Sequence, residues 1–503
     1  MSTLSIHSPN LAILTDQTLS EQNIVEETLS VAESDLKACD AEIAALLSRR
    51  ERLVQTIQKC KSALSLINNF PPEILSYIFE IVCETNTFGS SKQIAAITIS
   101  AVGCHWRQIA LSTPALWSSL KIDFTSWGQA ERGLAHLVRT FMERSKAMPL
   151  KIHTIWHDNH YTEIVNPTMR ILADHSSRWS EVVFFSDAGV LEAEVLKGIK
   201  GRLPLLRQLD IDFGTLDVFD DAPALTSVAI CMPDYAPSLP YSQLIHMTLR
   251  HCYNDFVATR IFQQCRQVRR LELLWVENSL PIEPQVLMPS VDTLKVSGGE
   301  YDICFAIAHL LLPRLESLEL VALFIDDLGA WEMWKDTPMV QSFFQQCSCI
   351  TNLRIENLPL SDTQIITILT YVPTLRKLHI EDAATIPELA VDSPVNQTIT
   401  PTSPSAPLIP GEYRRIISNR THLTALFLKA HSRGFDSEQL VKMVSSRWIP
   451  RDIRGTCIDR VQVVEVVLGY DRDMPFIDVS ALEPLVAAGL QLTVTMFRTK
   501  DHN

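Results

Sequence analysis

The sequence predicts an α/β chain in which a heptad helix and a small helical module precede an irregular repeat solenoid. Three observations predict it. Apolar residues between Leu29 and Ile67 alternate steps of three and four. The double proline Pro71-Pro72 then restarts helical spacing, and from about Leu150 an apolar triplet at i, i+3 and i+5 recurs ten times. The predicted organisation is a disordered stretch at 1–24, the heptad helix at 25–68, the module at 69–120, a helical connector at 121–149 and the solenoid at 150–500.

Bulk composition fits this layout. The 503 residues exceed one compact core, and 46% apolar with 20% charged residues is an ordinary folding composition. A formal charge of -14 without a basic stripe argues against nucleic acid as a partner. The 11 cysteines are odd in number and scattered, which reads as reduced, mostly buried thiols of an intracellular chain, cytoplasmic or nuclear. Residues 1–19 carry no basic residue ahead of an apolar run, and the longest apolar run, Ile303 to Leu312, is half of what a bilayer needs, so neither a signal peptide nor a membrane span is expected.

The heptad runs Leu29, Ala32, Leu36, Cys39, Ile43, Leu46, Arg50, Leu53, Ile57, Cys60, Leu64, Ile67, with Arg50 alone breaking the apolar line. Leu47 and Val54 widen the stripe. A widened stripe suits packing on the helix's own domain and a strict seam suits a dimer, so self-association through residues 29–67 stays open beside intramolecular packing. Proline ends this helix before Asn68-Asn69-Phe70-Pro71-Pro72, and a first-turn proline with Glu73 starts the next, carrying Ile74, Leu75, Ile78, Phe79 and Val82 on one face. After a polar turn at 85–91, a second helical pattern passes through Ile94, Ile97, Val102, Trp106 and Ile109, and Pro114-Ala-Leu-Trp117 closes the module.

The ten triplets begin at Trp179, Leu206, Leu225, Leu244, Val268, Val291, Leu315, Ile350, Leu375 and Leu423. Five have proline two residues ahead, at Pro204, Pro223, Pro289, Pro313 and Pro373, and Phe-Gln-Gln-Cys precedes two of them at 262–265 and 344–347. Such a unit cannot bury its apolar face alone, so neighbours must stack, as in a leucine-rich-repeat-like solenoid. The segment 386–410, rich in Thr, Ser and Pro, reads as a disordered insertion.

The module's motifs are Phe70-Pro-Pro-Glu-Ile-Leu75, Ile78-Phe79, Val102 with Trp106-Arg107, and Leu111-Ser-Thr-Pro-Ala-Leu-Trp117. They resemble the F-box, in the F-box-like form expanded in mushroom-forming fungi. Phe70 stands where the family has leucine, and Gly103 where it has cysteine. A glycine inside that helix is expected to cost about 1 kcal/mol against alanine. The resemblance implies a module that docks on the Skp-type adaptor of a cullin ubiquitin ligase, with the solenoid holding a protein substrate of unknown identity. Carried over by position, the adaptor-binding residues are Pro71, Ile74, Leu75, Ile78, Phe79, Val102, Trp106 and Trp117. The alternative is a non-ligase interaction scaffold that self-associates through the heptad helix.

No catalytic, cofactor or metal site is expected. His153, His157, His160 and Asp158 have metal-ligand spacing only on a helix, and the segment reads as a strand running into a polar loop. Cys347 and Cys349 lack a second pair and read as buried at the start of a strand. Nucleophile elbows, phosphate loops and dinucleotide fingerprints do not occur.

Overall fold

The computed structural model describes residues 10–63, 67, 70–89, 93–127, 131–156, 162–186, 196–212, 217–231, 237–251, 255–275, 285–323, 337–358, 360, 362–381, 422–431, 435, 437–448, 459–470 and 477–498. The chain divides into two compact units, 1–78 and 79–503.

The first unit carries α1 (Asn10–Ala63), a helix of 54 residues. It begins inside the stretch expected to be disordered. Every side chain described on it, from Ile24 to Lys61, is exposed. Helix α2 (Pro72–Val82) starts in this unit at its first-turn proline and runs into the second.

Among the described residues, the second unit holds a 15-stranded sheet in which each strand pairs in parallel with the next. Its strands are β1 (Asn86–Phe88), β2 (Ser119–Asp123), β3 (Leu150–Trp156), β4 (Trp179–Ser186), β5 (Gln208–Ile211), β6 (Ser227–Cys231), β7 (His246–Arg250) and β8 (Arg270–Leu274). They continue as β10 (Thr293–Gly298), β12 (Ser317–Ala322), β13 (Asn352–Glu356), β14 (Lys377–Glu381), β15 (Ala425–His431), β16 (Val463–Tyr470) and β17 (Gln491–Arg498). Two short strands, β9 (Val286–Leu287) and β11 (Leu310–Leu311), pair beside it.

The triplets explain the register. Val182, Leu209, Val228, Met247, Leu271, Leu294, Leu318, Leu353, Leu378 and Leu426 stand side by side on successive strands, and all are buried. The proline punctuation also acquires a cause. At each of the five sites the first triplet residue donates its N–H to the carbonyl three residues back: Leu206 to Leu203, Leu225 to Ala222, Val291 to Met288, Leu315 to Leu312 and Leu375 to Val372. Proline therefore occupies the second position of a four-residue turn, where its fixed φ is already correct. Both Phe-Gln-Gln strings close a helix, Asp255–Gln264 and Thr337–Gln346, and Cys265 and Cys347 are buried just beyond.

The sheet is larger than the triplet count implied. Trp117/Leu120/Ile122 and Val461/Val464/Val466 have the same spacing, and all six are buried. The sheet thus starts inside the helical module instead of near residue 150. Strand β1 forms within the expected polar turn, and the expected connector holds the end of β2 before its helix, α5 (Glu131–Arg144). The insertion at 386–410 lies outside the described residues.

Candidate protein-docking surfaces

Helix α2 is apolar on two faces. Leu75, Phe79 and Cys83, at i, i+4 and i+8, are buried. Phe70, just ahead of the helix, and Ile74, Tyr77 and Ile81 follow the i, i+4, i+7, i+11 stripe, and Ile74 and Tyr77 are 46% and 64% exposed. A soluble helix ordinarily shows water a polar face there, so this second stripe is the unusual feature.

The eight positions carried over from the resemblance divide accordingly. Pro71, Ile74 and Val102 are exposed, Ile78 and Trp106 are half-buried, and Leu75, Phe79 and Trp117 are sealed inside. The assignment of these last three as contact residues is corrected: each is covered by the chain itself. Phe79 packs its ring against Trp106 at 4.8 Å. Trp117 lies between Phe141, at 4.9 Å, and the Arg144 guanidinium, at 4.4 Å, while its Nε1 donates to the Ala110 carbonyl at 2.9 Å. Tyr77, Ile81 and Val82, which the resemblance did not single out, are exposed.

Gly103 does not weaken a helix interior. It separates α3 (Ala95–Val102) from α4 (Cys104–Ser112) in extended conformation, φ -176°, and a Cβ placed there meets nothing within 4 Å. The glycine expectation is therefore also corrected. The module's lock is Asn86, which sequence reasoning missed. Fully buried on β1, its Nδ2 donates to the carbonyls of Leu116 (2.8 Å) and Ser119 (3.1 Å), and its Oδ1 accepts from the Ala96 N–H at 3.0 Å. One side chain so ties α3, the closing turn and β2 together. An Asn among turn residues carries no signal that marks it as buried.

On the solenoid, positions between the buried ones line the opposite, open face. Over β12–β16 they form a cleft of ≈ 330 Å3 lined in part by Glu319, Arg354, Lys377, His379, Phe427 and Glu465. His379 stacks on Phe427 at 3.9 Å. Glu356 and Glu381 face each other across β13 and β14; Arg354 pairs with Glu356 and Lys429 with Glu381. The imidazole of His379 and the guanidinium of Arg354 hold the Glu356 carboxyl below its ordinary value. Ligand atoms of Glu356, His379 and Glu381 lie within 4.8 Å of one another, the spacing of a metal site. Each carboxylate already has a cationic side chain, however, so the cluster reads as an ion-pair network. A second cleft, ≈ 660 Å3, lies at the lead-ins to β7–β13 among Arg269, Ser290, Asp292, Arg314, Glu316 and Cys349.

His153 stands on β3 beside Lys121 and Val183 in the ladder, and His157, Asp158 and His160 lie outside the described residues. Cys347 is buried, its thiol pushed up to about 12 by desolvation, but Cys349 is exposed, contrary to expectation. Among the described residues, no helix is long and apolar enough to cross a membrane.

Comparison with known proteins adds little. No protein-family model matches the chain, and no curated protein does. A solved structure that matches is the crystal structure of the TLR13-ssRNA13 complex, at 10% identity and a TM-score of 0.34, over 76% of this chain and 63% of that one. The chain thus spans under two thirds of that neighbour's length. The repeat architecture accordingly rests on the strand register of this chain itself.

Proposed function

We propose that this chain is a substrate-recognition adaptor of a Skp-cullin-F-box type ubiquitin ligase. Its F-box-like module binds the Skp-type subunit, its solenoid holds a protein substrate, and it makes and breaks no bonds of its own. The observation that carries this reading is the second apolar stripe of α2, where Phe70, Ile74, Tyr77 and Ile81 are exposed opposite a face already buried. On α2 the contact set is accordingly revised to Phe70, Pro71, Ile74, Tyr77 and Ile81, with Leu75 and Phe79 on the helix's buried face. Tethering a substrate beside a ubiquitin-loaded enzyme raises its local concentration, which is the entire chemical contribution such an adaptor makes.

The test is co-purification with the Skp-type subunit. Ile74→Asp with Ile81→Asp is expected to abolish it while the urea midpoint of the solenoid stays unchanged. Retained co-purification of a folded double variant overturns the reading. The exposure of every described side chain of α1, Ile24 to Lys61, favours the second reading, a self-associating scaffold with no ligase role, for which the wild-type chain captures no Skp-type subunit at all.

A further inference from the structure

The heptad stripe of α1 is exposed along its whole described length; Leu29, Leu36, Ile43, Leu46, Leu53 and Ile57 lie between 53% and 62% exposed. A helix of this kind in water is a half-built interface. Its charges say what completes it. Residues 24–47 carry six carboxylates and one lysine, and residues 48–61 carry five basic side chains and one glutamate. A partner able to cover the stripe must be apolar at the same spacing and opposite in polarity end to end. A second copy running the other way meets both conditions.

The register follows from the layers. With Ile43 set opposite Leu46 of the second copy, Leu36 meets Leu53, Leu29 meets Cys60 and Arg50 meets Cys39. At the flanking positions Glu42 then meets Arg49 and Glu26 meets Lys61, each twice by the two-fold axis, and no like charges are opposed. A parallel, in-register pair does the reverse. It sets Asp35 against Asp40 twice and stacks Arg50 on Arg50 in the seam, with no attractive flanking pair to compensate. A seam about 55 Å long on helices about 10 Å across offers each copy an area of the order of the ~800 Å2 per partner of a stable interface.

We propose that residues 25–61 of α1 pair with the same segment of a second copy as a two-fold antiparallel coiled coil. This goes beyond the adaptor reading and stands or falls without it, because its readout is the mass and strand order of the purified chain alone.

The experiment uses the full chain. Sedimentation at micromolar concentration is expected to give twice 56.6 kDa, and a monomer mass overturns the proposal. Cys39 and Cys60 are exposed thiols that report direction. Under mild oxidation the wild-type chain is expected to form no Cys39–Cys39 link, whereas Arg50→Cys links the introduced thiol to Cys39 of the second copy, located by peptide mass mapping. A Cys39–Cys39 link in the wild type, or no link in Arg50→Cys, overturns the antiparallel order. Glu42→Arg is expected to weaken the dimer roughly tenfold, by replacing two attractive pairs with two repulsive ones. Adding Arg49→Glu restores it; a double variant weaker than the single one counts against the register.

Discussion

Helix α1 and the strands of the solenoid are built from the same apolar residue types and end in opposite surroundings. Leu36, Ile43, Leu46 and Ile57 are each more than half exposed, whereas Leu209, Leu271, Leu318 and Leu378 are sealed. What differs is the supply of partners. A triplet repeated along the chain finds its complement on the neighbouring strand, so burial follows from repetition. The heptad stripe occurs once per chain, and no second copy of it is available to cover it. Hydrophobicity alone does not decide burial; the number of matching surfaces within one chain does.

The sharpest way to break this comparison is to cut a leucine on each side of it. Leu318→Ala, between Leu294 and Leu353 in the ladder, is expected to cost about 2–5 kcal/mol, read as a lowered urea midpoint of the solenoid. Leu46→Ala on α1 leaves that midpoint where it is. Equal losses would mean that α1 is part of the folded core in solution. Next in size is Asn86→Ala, which strips the Ala96 N–H and the Leu116 and Ser119 carbonyls of one shared partner. Leaving buried backbone groups unsatisfied costs about 1–3 kcal/mol. Faster hydrogen exchange at the Ala96 amide reports it, and exchange at the wild-type rate would show that α3 is held by something other than this side chain.

The same contrast explains what could be read in the sequence. The ladder was legible at ten of the sheet's fifteen described strands because its signal is repeated, and its prolines mark a turn whose second position proline suits. The copies at Trp117/Leu120/Ile122 and Val461/Val464/Val466 carry a weaker signal. The first begins on the last residue of a motif with a reading of its own, and the second stands alone 38 residues after the triplet at Leu423. The module at 69–120 was legible as a set of helices but not as faces. Leu75 and Ile74 are adjacent, equally apolar and oppositely placed, and only the position of neighbouring elements separates them. Gly103 was misplaced for a related reason: apolar spacing continues across it even though the chain there is extended between two helices.

Charged residues extend the comparison to its smallest expected effect. On the ladder a charge has its neighbours assigned by register. Glu356 sits across from Glu381, beside Arg354 and near His379, so its carboxylate is favoured in the folded chain and its pKa lies below the ordinary 4.5. Stability gained this way is fully present above the unfolded value and is lost as pH falls through the folded one. The gap in urea stability between wild type and Glu356→Gln should therefore be level from pH 5 to 7 and shrink below the ordinary 4.5. For a partly screened network it should stay under about 1 kcal/mol. A gap still open at pH 3 would mean that shape, not charge, makes Glu356 matter. On α1 the corresponding change, Glu42→Gln, is expected to act on particle mass and not on this midpoint, since its assigned partner belongs to another molecule.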